Sequence, residues 1–319
     1  GEANQIEPLN DIVSNINEFL DGTLAQVSSG DDIYAVPFAV QTSQFYYNKK
    51  LFDEHGLTEP KTWDDLIKIM ETLSTKGVTP MGISGREGWA VNLIIDSVGA
   101  SLLDPTWVEG LTNGENKYSD QEFVDILDCL NSIKGYFQNG FMAAGYTDMQ
   151  TLLMQEQVAM IVDGVWAESA LREQNPDVEL GTFMTPPVTA ADQPRIYAFL
   201  DGGYGLNANA ENRELALEVL NFTATLDFGQ IYSDLHGEIS AFPGVNPTNP
   251  SPLLELAIDR FANNSIDHLF RIRSVYDTGE TKISTLLEAG IQDMLGNDKD
   301  PQEVANSIQK DIETAHNFK

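Results

Sequence analysis

The most constraining feature of this sequence is a short, uninterrupted apolar segment that ends in a turn. Residues 158–162 read Val-Ala-Met-Ile-Val, and Asp163-Gly164 follows directly. A run this short and this apolar is typical of a strand buried on both faces of a parallel-rich sheet. Such sheets belong to α/β proteins, because helices must cover both of their faces. The sequence therefore predicts a central sheet with one strand at residues 158–162.

Helical patterns surround this segment and support the α/β class. Apolar residues recur every three to four positions over residues 9–28, which predicts an amphipathic helix. Thr62 is expected to cap a second helix that ends near Thr75. Residues 199–209 are expected to form another short strand, so strands and helices alternate along the chain. Further helices are expected at residues 211–226, 252–262 and 281–296 and after Pro301.

The charge of the chain excludes one class of partner. Asp and Glu number 49 against 18 Lys and Arg, which gives a formal net charge of -31 at pH 7. Such a surface repels phosphate backbones, so nucleic acid is not expected to bind. The length of 319 residues fits one large domain or two of ordinary size. No apolar run approaches the roughly 18 residues that span a bilayer, and the chain opens without Met, so a mature or truncated soluble chain is expected.

The residues that usually carry metal or nucleophilic chemistry do not form recognisable patterns. The four histidines lack the spacing of a zinc site, and neither a nucleophile elbow nor a Walker A sequence occurs. The single cysteine, Cys129, lies in a helical apolar pattern and is expected to be a buried structural thiol. The sequence therefore predicts neither a metal site nor a catalytic thiol.

Two of the four tryptophans lie where ligands are often bound. Trp89 follows the polar, glycine-rich residues 85–88, whereas Trp166 comes just after the apolar segment and its turn. The second position is the carboxyl end of the predicted strand, a common place for ligand contacts in α/β proteins. Trp63 lies in the first turn of a capped helix and is expected to be structural. The pattern alone leaves open that Trp89 and Trp166 are ordinary core residues.

Several blocks, taken in order, resemble one protein family over nearly the whole chain. They are Tyr34-Ala35-Val36-Pro37-Phe38, Tyr47-Asn48-Lys49-Lys50-Leu51-Phe52, Pro60-Lys61-Thr62-Trp63-Asp64-Asp65-Leu66, residues 157–166 and Asp201-Gly202-Gly203-Tyr204-Gly205. In order and spacing, the set resembles the extracellular solute-binding proteins of carbohydrate ABC importers, the maltose-binding-protein-like group. The assignment rests on the set, because no single block is specific.

The resemblance implies a two-lobed α/β fold of the type II periplasmic-binding-protein kind, with discontinuous lobes, a hinge and an interlobe cleft. It assigns residues 1–40 and 203–268 to lobe one, and residues 41–202 and 269–319 to lobe two. The family normally has roughly 80 to 100 residues before the point that matches Gly1. Lobe one is therefore expected to be incomplete at its N-terminus.

The same resemblance implies a function. The protein would capture a mono- or oligosaccharide in the cleft and deliver it to a membrane permease, without covalent chemistry and therefore not as an enzyme. It would act as a monomer with neither cofactor nor metal. Its location would be extracellular, as a cell-surface lipoprotein, or periplasmic.

Sugar contacts follow from the resemblance, position by position. Sugar rings present apolar C–H faces flanked by hydroxyls, so aromatic rings stack on the faces while polar groups bond the hydroxyls. Stacking is assigned to Trp89, Trp166 and Tyr276, hydrogen bonding to Gln41, Arg86, Glu87 and Asp201, and close backbone approach to Gly202 and Gly203. For Glu87 and Tyr276, a solvated loop position is the open alternative. Any role for Glu238 is weakened, because the proline of the matching family loop is displaced to Pro243 here.

Two other functions remain open from the sequence. The same fold could bind a non-sugar solute such as a polyamine, which the acidic balance of the chain favours, although the aromatic residues favour a sugar. A carbohydrate-active hydrolase would need two carboxylates that flank the scissile bond, and the candidates are Asp163, Asp201 and Glu238. The family resemblance argues against the hydrolase.

Overall fold

The computed structural model of this chain describes residues 5–20, 22–188, 194–264, 266–267 and 282–316. The chain forms two units, each built from two separate stretches of sequence. Unit 1 comprises residues 1–42 and 198–262, and unit 2 comprises residues 43–197 and 263–319. The lobe boundaries expected from the family resemblance stay predictions.

Helices and strands alternate along the described part of the chain. The helices are α1 (Thr23–Gln26), α2 (Lys49–Glu54), α3 (Trp63–Thr75), α4 (Gly88–Leu102), α5 (Pro105–Asn113), α6 (Gln121–Ile133), α7 (Tyr146–Met154), α8 (Ala167–Gln174), α9 (Arg213–Thr223), α10 (Leu226–His236), α11 (Pro252–Asn263), α12 (Ile283–Asn297) and α13 (Pro301–His316). The strands are β1 (Ile6–Glu7), β2 (Ser28–Ser29), β3 (Asp32–Ile33), β4 (Val36–Pro37), β5 (Ala39–Asn48), β6 (Thr79–Gly82), β7 (Val158–Gly164), β8 (Leu180–Phe183), β9 (Ile196–Leu200), β10 (Gly203–Tyr204), β11 (Leu206–Asn207), β12 (Ile239–Ser240) and β13 (Ile266–Asp267). Within these ranges, no helix combines the length and the apolar character needed to cross a bilayer.

The predicted buried strand is confirmed as β7 in unit 2, and every one of its residues is buried. One edge of β7 pairs antiparallel with β5, where Ser43 lies opposite Gly164. The other edge pairs in parallel with β6, where Met81 lies opposite Met160. Helices α4, α7 and α8 pack against β7 and complete its burial. Asp163 and Gly164, the last two residues of the strand, are therefore buried as well.

The helix predicted to begin after Thr62 is confirmed as α3. The Thr62 hydroxyl accepts a hydrogen bond from the Asp65 amide over 3.2 Å, which satisfies one of the unpaired N–H groups of the first turn. Trp63 is 5% exposed and belongs to the core, as predicted. The three later helices predicted from periodicity and from Pro301 are confirmed as α11, α12 and α13.

Cys129 is a structural thiol on α6, but it is only partly buried. Burial, together with the nearby carboxylates of Asp125 and Asp128, raises the pKa of the Cys129 thiol to about 11. A thiol with this pKa stays protonated at neutral pH, and the thiolate is the nucleophilic form. The environment of Cys129 thus lacks what a reactive cysteine requires.

The helix predicted over residues 9–28 is wrong. That segment contains a 3-10 turn at Ile16–Glu18 and the short helix α1, which begins just after Gly22, with a φ of 85°. The Asn10 side chain bonds two backbone groups at and beside β3, over 2.8 and 2.9 Å, and this ties the segment to a strand. The apolar residues behind the prediction are nevertheless buried: Leu9, Val13, Ile16 and Phe19. A spacing of three to four residues suits successive tight turns as well as a helix.

Two further elements are shorter than predicted. Residues 199–209 do not form one strand, because the pairing partner changes from β5 at β9 to β4 at β10 and to β1 at β11. The helix predicted over residues 211–226 ends at Thr223. A new helix, α10, then begins with Thr225 as its cap, whose hydroxyl accepts from the Phe228 amide over 3.2 Å. Both α9 and α10 carry large exposed apolar side chains, at Leu215, Val219, Phe222, Leu226, Ile231 and Leu235.

Candidate functional site

The loop before α4 carries two of the expected polar contacts, Arg86 and Glu87. The Ser84 hydroxyl donates to Glu87 Oε2 over 2.6 Å, and Arg86 Nη2 donates to Glu87 Oε1 over 2.9 Å. The Ser84 hydrogen bond and then the Arg86 guanidinium lower the pKa of Glu87. The amide of Gln292, on α12, donates to the Gly85 carbonyl over 2.9 Å and holds the loop in place. Both side chains are thus ordered, and both charges are present at neutral pH.

Trp89 lies in the first turn of α4 and presents a large aromatic surface. Its side chain is 44% exposed, which is unusual for a tryptophan with a purely structural role. The Tyr146 ring packs beside it, with 4.8 Å between ring centroids and 56° between ring planes. One part of the indole is therefore supported by protein while another part is free to meet a ligand.

Trp166 is positioned by the turn that ends β7. Its Nε1 donates to the Tyr146 hydroxyl over 2.8 Å. A Cβ built on Gly164 would overlap the six-membered ring of Trp166, so the ring lies in space that only glycine leaves open. Asp163 and Gly164, which were predicted to form a turn, are the last two residues of β7, and the turn follows at Val165 and Trp166. The missing side chain of Gly164 is what allows the indole to fold back over the end of the strand. We call Trp89, Tyr146 and Trp166 the aromatic group.

A buried carboxylate lies directly beneath the aromatic group. Asp163 Oδ1 accepts from the Tyr146 hydroxyl and from the Gly164 amide, each over 2.8 Å. Its Oδ2 accepts from Gln150 Nε2 over 3.0 Å. Burial raises the pKa of Asp163 to about 7, against the three hydrogen bonds that favour the ionised form. Burial also raises the pKa of Tyr146, which therefore keeps its proton and remains a donor.

A second group of expected contacts lies in unit 1 and consists of hydrogen-bond acceptors. The fully buried Gln41 donates through Nε2 to Glu238 Oε2 over 2.9 Å, and the Tyr232 hydroxyl donates to the same oxygen over 3.2 Å. In the described part of the chain, nothing donates to Gln41 Oε1. Asp201 follows β9, and its backbone amide donates to the carbonyl of Ala39, two residues before Gln41, over 2.9 Å. We call Gln41, Asp201 and Glu238 the acceptor group.

The electrostatics of the acceptor group disfavour a second negative charge. Atoms packed around the carboxyl raise the pKa of Asp201, although the residue as a whole is exposed. Burial and then the charge of Asp201 raise the pKa of Glu238, whereas the charge of His236 opposes the shift. Neither carboxylate forms an ion pair with a Lys or Arg of the described ranges. The group is therefore suited to accept hydrogen bonds from a donor-rich partner.

Gly202 and Gly203 make room for neighbouring side chains of unit 1. A Cβ on Gly202 would lie 2.9 Å from the Phe38 ring, and a Cβ on Gly203 would lie 2.8 Å from the Ala35 methyl group. The Phe38 ring in turn packs between two tyrosines, with centroid distances of 5.1 Å to Tyr204 and 5.4 Å to Tyr232. A backbone approach to a ligand at these glycines stays a prediction.

The expected contacts therefore fall into two sets. Unit 2 holds Arg86, Glu87, Trp89 and Trp166; unit 1 holds Gln41, Asp201, Gly202 and Gly203; Tyr276 lies outside the described residues.

Sequence reasoning missed Tyr146 and Tyr232, for which no motif gave a signal. It discounted Glu238 because of a displaced proline, yet this residue is bonded to Gln41. Phe38 and Tyr204 lie within blocks that carried the family resemblance.

Comparison with known proteins gives consistent matches. A family model described as bacterial extracellular solute-binding protein matches residues 1–226. The multiple sugar-binding protein of Streptococcus mutans serotype c is 31% identical over 239 residues, which are 70% of this chain and 55% of that protein. The mannitol-binding protein of Pseudomonas aeruginosa is 23% identical over 285 residues, which are 85% of this chain and 64% of that protein. The chain thus spans about half to two thirds of the length of these curated relatives.

Solved structures match over almost the whole chain. A chitin oligosaccharide binding protein superposes with a TM-score of 0.86 at 25% identity, covering 99% of this chain and 80% of that one. The protein RafE in complex with raffinose superposes with a TM-score of 0.74 at 25% identity, covering 98% of this chain and 81% of that one.

Proposed function

Because the chain belongs to the bacterial extracellular solute-binding protein family, we propose that it binds a mono- or oligosaccharide and delivers it to the permease of an ABC importer. The family resemblance read from the sequence is confirmed, and so is the fold class, an α/β fold of the type II periplasmic-binding-protein kind. The ligand, its delivery and the permease are proposals about the whole protein.

The aromatic group is the observation that carries the proposal. An exposed indole, a tyrosine that supports it and a second, hydrogen-bonded indole lie beside the charged pair of Arg86 and Glu87. Tyr146 links the two indoles, because its ring contacts Trp89 while its hydroxyl accepts from Trp166 Nε1. Aromatic faces for C–H surfaces and charged groups for hydroxyls are the combination that a sugar requires.

The acceptor group of unit 1 supports the same ligand class. Asp201, Glu238 and the unpaired Gln41 Oε1 present acceptors, and sugar hydroxyls are donors. A buried acceptor without a partner costs free energy, so a ligand that donates to Gln41 Oε1 would gain affinity from it. The names of the similar proteins point the same way, since they refer to sugars, mannitol and raffinose.

A thermal-shift panel tests the proposal. The probes are raffinose, maltotriose, a chitin oligosaccharide and mannitol, with spermidine as the polyamine probe. A ligand at 100 times its Kd stabilises the folded state by about 2.7 kcal/mol, which raises the melting temperature measurably. At least one carbohydrate is expected to do so. A protein that responds to none of the carbohydrates would contradict the proposal.

The acceptor group also favours one alternative ligand, a polyamine. Asp201 and Glu238 are two neighbouring carboxylates, and the charge of Asp201 raises the pKa of Glu238. An ammonium group would be attracted there. If spermidine is the only probe that raises the melting temperature, the ligand class is a polyamine and not a sugar.

We propose a binding protein and not an enzyme. A glycoside hydrolase needs a carboxylate pair that flanks the scissile bond, and Asp163, one of the candidates, is fully buried and engaged by three hydrogen bonds. Chromatography of the raffinose and maltotriose samples after incubation decides between the two functions. Released monosaccharide would mean hydrolysis.

The location and assembly of the protein follow from its family. We propose that it works outside the cytoplasmic membrane, as an extracellular cell-surface lipoprotein or in the periplasm, and as a monomer. No cofactor or metal is included in the proposal. Fractionation of cells that express the full-length gene, and light scattering of the purified whole protein, test these two points.

A further inference from the structure

Asp163 is an unusual residue for its position in the fold. It lies at the end of an otherwise apolar, fully buried strand, and it is itself 0% exposed. Its partners are all neutral: the Tyr146 hydroxyl, the Gln150 amide and the Gly164 backbone. A buried carboxylate without a cationic partner is costly, and an apolar residue would suit such a strand better. The position therefore calls for a role beyond packing.

The partner that matters is Tyr146, because it contacts both candidate stacking residues at once. Its hydroxyl accepts from Trp166 Nε1 and donates to Asp163 Oδ1, each over 2.8 Å. Its ring packs against Trp89 at 4.8 Å between centroids. A tyrosine hydroxyl has one proton and lone pairs, so the acceptor below decides which way the proton points. With the proton directed at Asp163, a lone pair is available to Trp166.

We propose that Asp163 is a positioning residue for sugar binding, which acts through the Tyr146 hydroxyl to hold the indole rings of Trp89 and Trp166. This inference rests on the proposed carbohydrate function. Asp163 does not touch the ligand in this scheme. Its effect on affinity comes from the two rings that Tyr146 connects.

The surroundings of Asp163 provide a matched control. Tyr46, on β5, donates through its hydroxyl to the Gly164 carbonyl over 3.0 Å, at the same turn but outside the chain of bonds to Trp166. Tyr46→Phe therefore removes a buried hydrogen bond next to Asp163 and leaves the path through Tyr146 intact.

The experiment compares five variants for their affinity toward the panel sugar that gives the largest thermal shift. Asp163→Ala and Tyr146→Phe are each expected to weaken binding by about tenfold, and the double variant by about the same factor and not a hundredfold, because both break one path. Asp163→Asn keeps an oxygen that accepts from Tyr146 and should stay within about twofold of the original protein. Tyr46→Phe should lower stability and leave affinity unchanged.

A second readout does not depend on any ligand. The indole N–H signal of Trp166, identified by its loss in Trp166→Phe, reports the hydrogen bond to Tyr146 in a ¹H–¹⁵N spectrum. The chemical shift of this signal should change in Asp163→Ala and Tyr146→Phe and stay the same in Tyr46→Phe.

The outcomes separate this inference from the proposed function. If no panel sugar binds the original protein, the carbohydrate function fails, and the indole signal alone decides whether Asp163 positions Trp166. If a sugar binds and Asp163→Ala retains both its affinity and its Trp166 signal, the positioning role is refuted. It is also refuted if Tyr46→Phe weakens binding as much as Tyr146→Phe does, because any buried defect at the turn would then have the same effect.

Discussion

The substitution Trp166→Ala gives the sharpest test of where the ligand binds. The ring lies over Gly164 and donates a hydrogen bond to the Tyr146 hydroxyl, and the residue is partly exposed. Loss of that hydrogen bond should reduce the free energy of unfolding by about 1 kcal/mol, with a further contribution from the buried part of the ring. The fold should therefore survive.

The expected loss of affinity is larger than the loss of stability. Stacking and burial of an aromatic ring against a sugar contribute on the order of 1 to 3 kcal/mol. This range corresponds to roughly 10- to 100-fold weaker binding. Isothermal titration calorimetry with the sugar found in the thermal-shift panel measures the change directly.

Trp63→Ala is the matched control. Trp63 is 5% exposed, and its Nε1 has no hydrogen-bond partner in the described ranges, so its contribution is packing. Removal of a buried tryptophan costs about 3 to 5 kcal/mol of stability. Affinity, measured well below the melting temperature, should stay the same. Trp63→Phe offers a milder version if the alanine variant does not fold.

One result would refute the reasoning about Trp166. Normal affinity in Trp166→Ala, together with a large fall in melting temperature, would mean that the ring is a core residue. The aromatic group would then not be the binding surface.

Three further predictions concern pH, a glycine and a helix cap. The pKa of Asp163 is about 7 in the folded state and about 3.9 in an unfolded chain, so the folded state binds more protons between these two pH values. The free energy of unfolding should therefore fall by at most about 4 kcal/mol as the pH rises from about 3.9 to about 7. Urea titrations at several pH values should show this fall in the original protein and not in Asp163→Asn. Gly164→Ala should displace the Trp166 ring and weaken sugar binding by about tenfold in calorimetry, whereas Gly135→Ala, where a Cβ meets nothing within 4 Å, should not. Thr62→Ala removes the acceptor for the Asp65 amide and should cost about 1 kcal/mol in thermal unfolding, with no change in sugar affinity.

Local sequence signals predicted well those elements whose cause is local. The strand β7 follows from an apolar run and a turn, and α3 follows from a threonine cap with an apolar stripe behind it. The helix prediction for residues 9–28 was wrong, because the spacing of the apolar residues reflects which residues are buried and not the backbone conformation. There, side-chain bonds from Asn10 to the backbone at and beside β3 decided the outcome.

The sequence predicted several residues of the candidate site but not the contacts between them. Trp89 and Trp166 could be named from their flanking residues, and Arg86 and Glu87 from the family resemblance. Nothing in the sequence indicated that Tyr146 would join both tryptophans or that Asp163 would lie beneath it. The same holds in unit 1, where Gln41 reaches Glu238 across 197 positions of sequence.

The sequence by itself determined the family, the α/β class, the buried strand and most of the chemically suitable side chains, because these depend on local pattern and residue type. Only the tertiary structure decided which of those side chains meet. Hydrogen bonds and ring contacts reach a few ångströms, and residues far apart in the chain come within that distance only when strands and helices have packed. Asp163 shows the difference most clearly, since its sequence context suggested a turn, whereas in the packed structure it accepts a hydrogen bond from Tyr146, which in turn accepts one from Trp166.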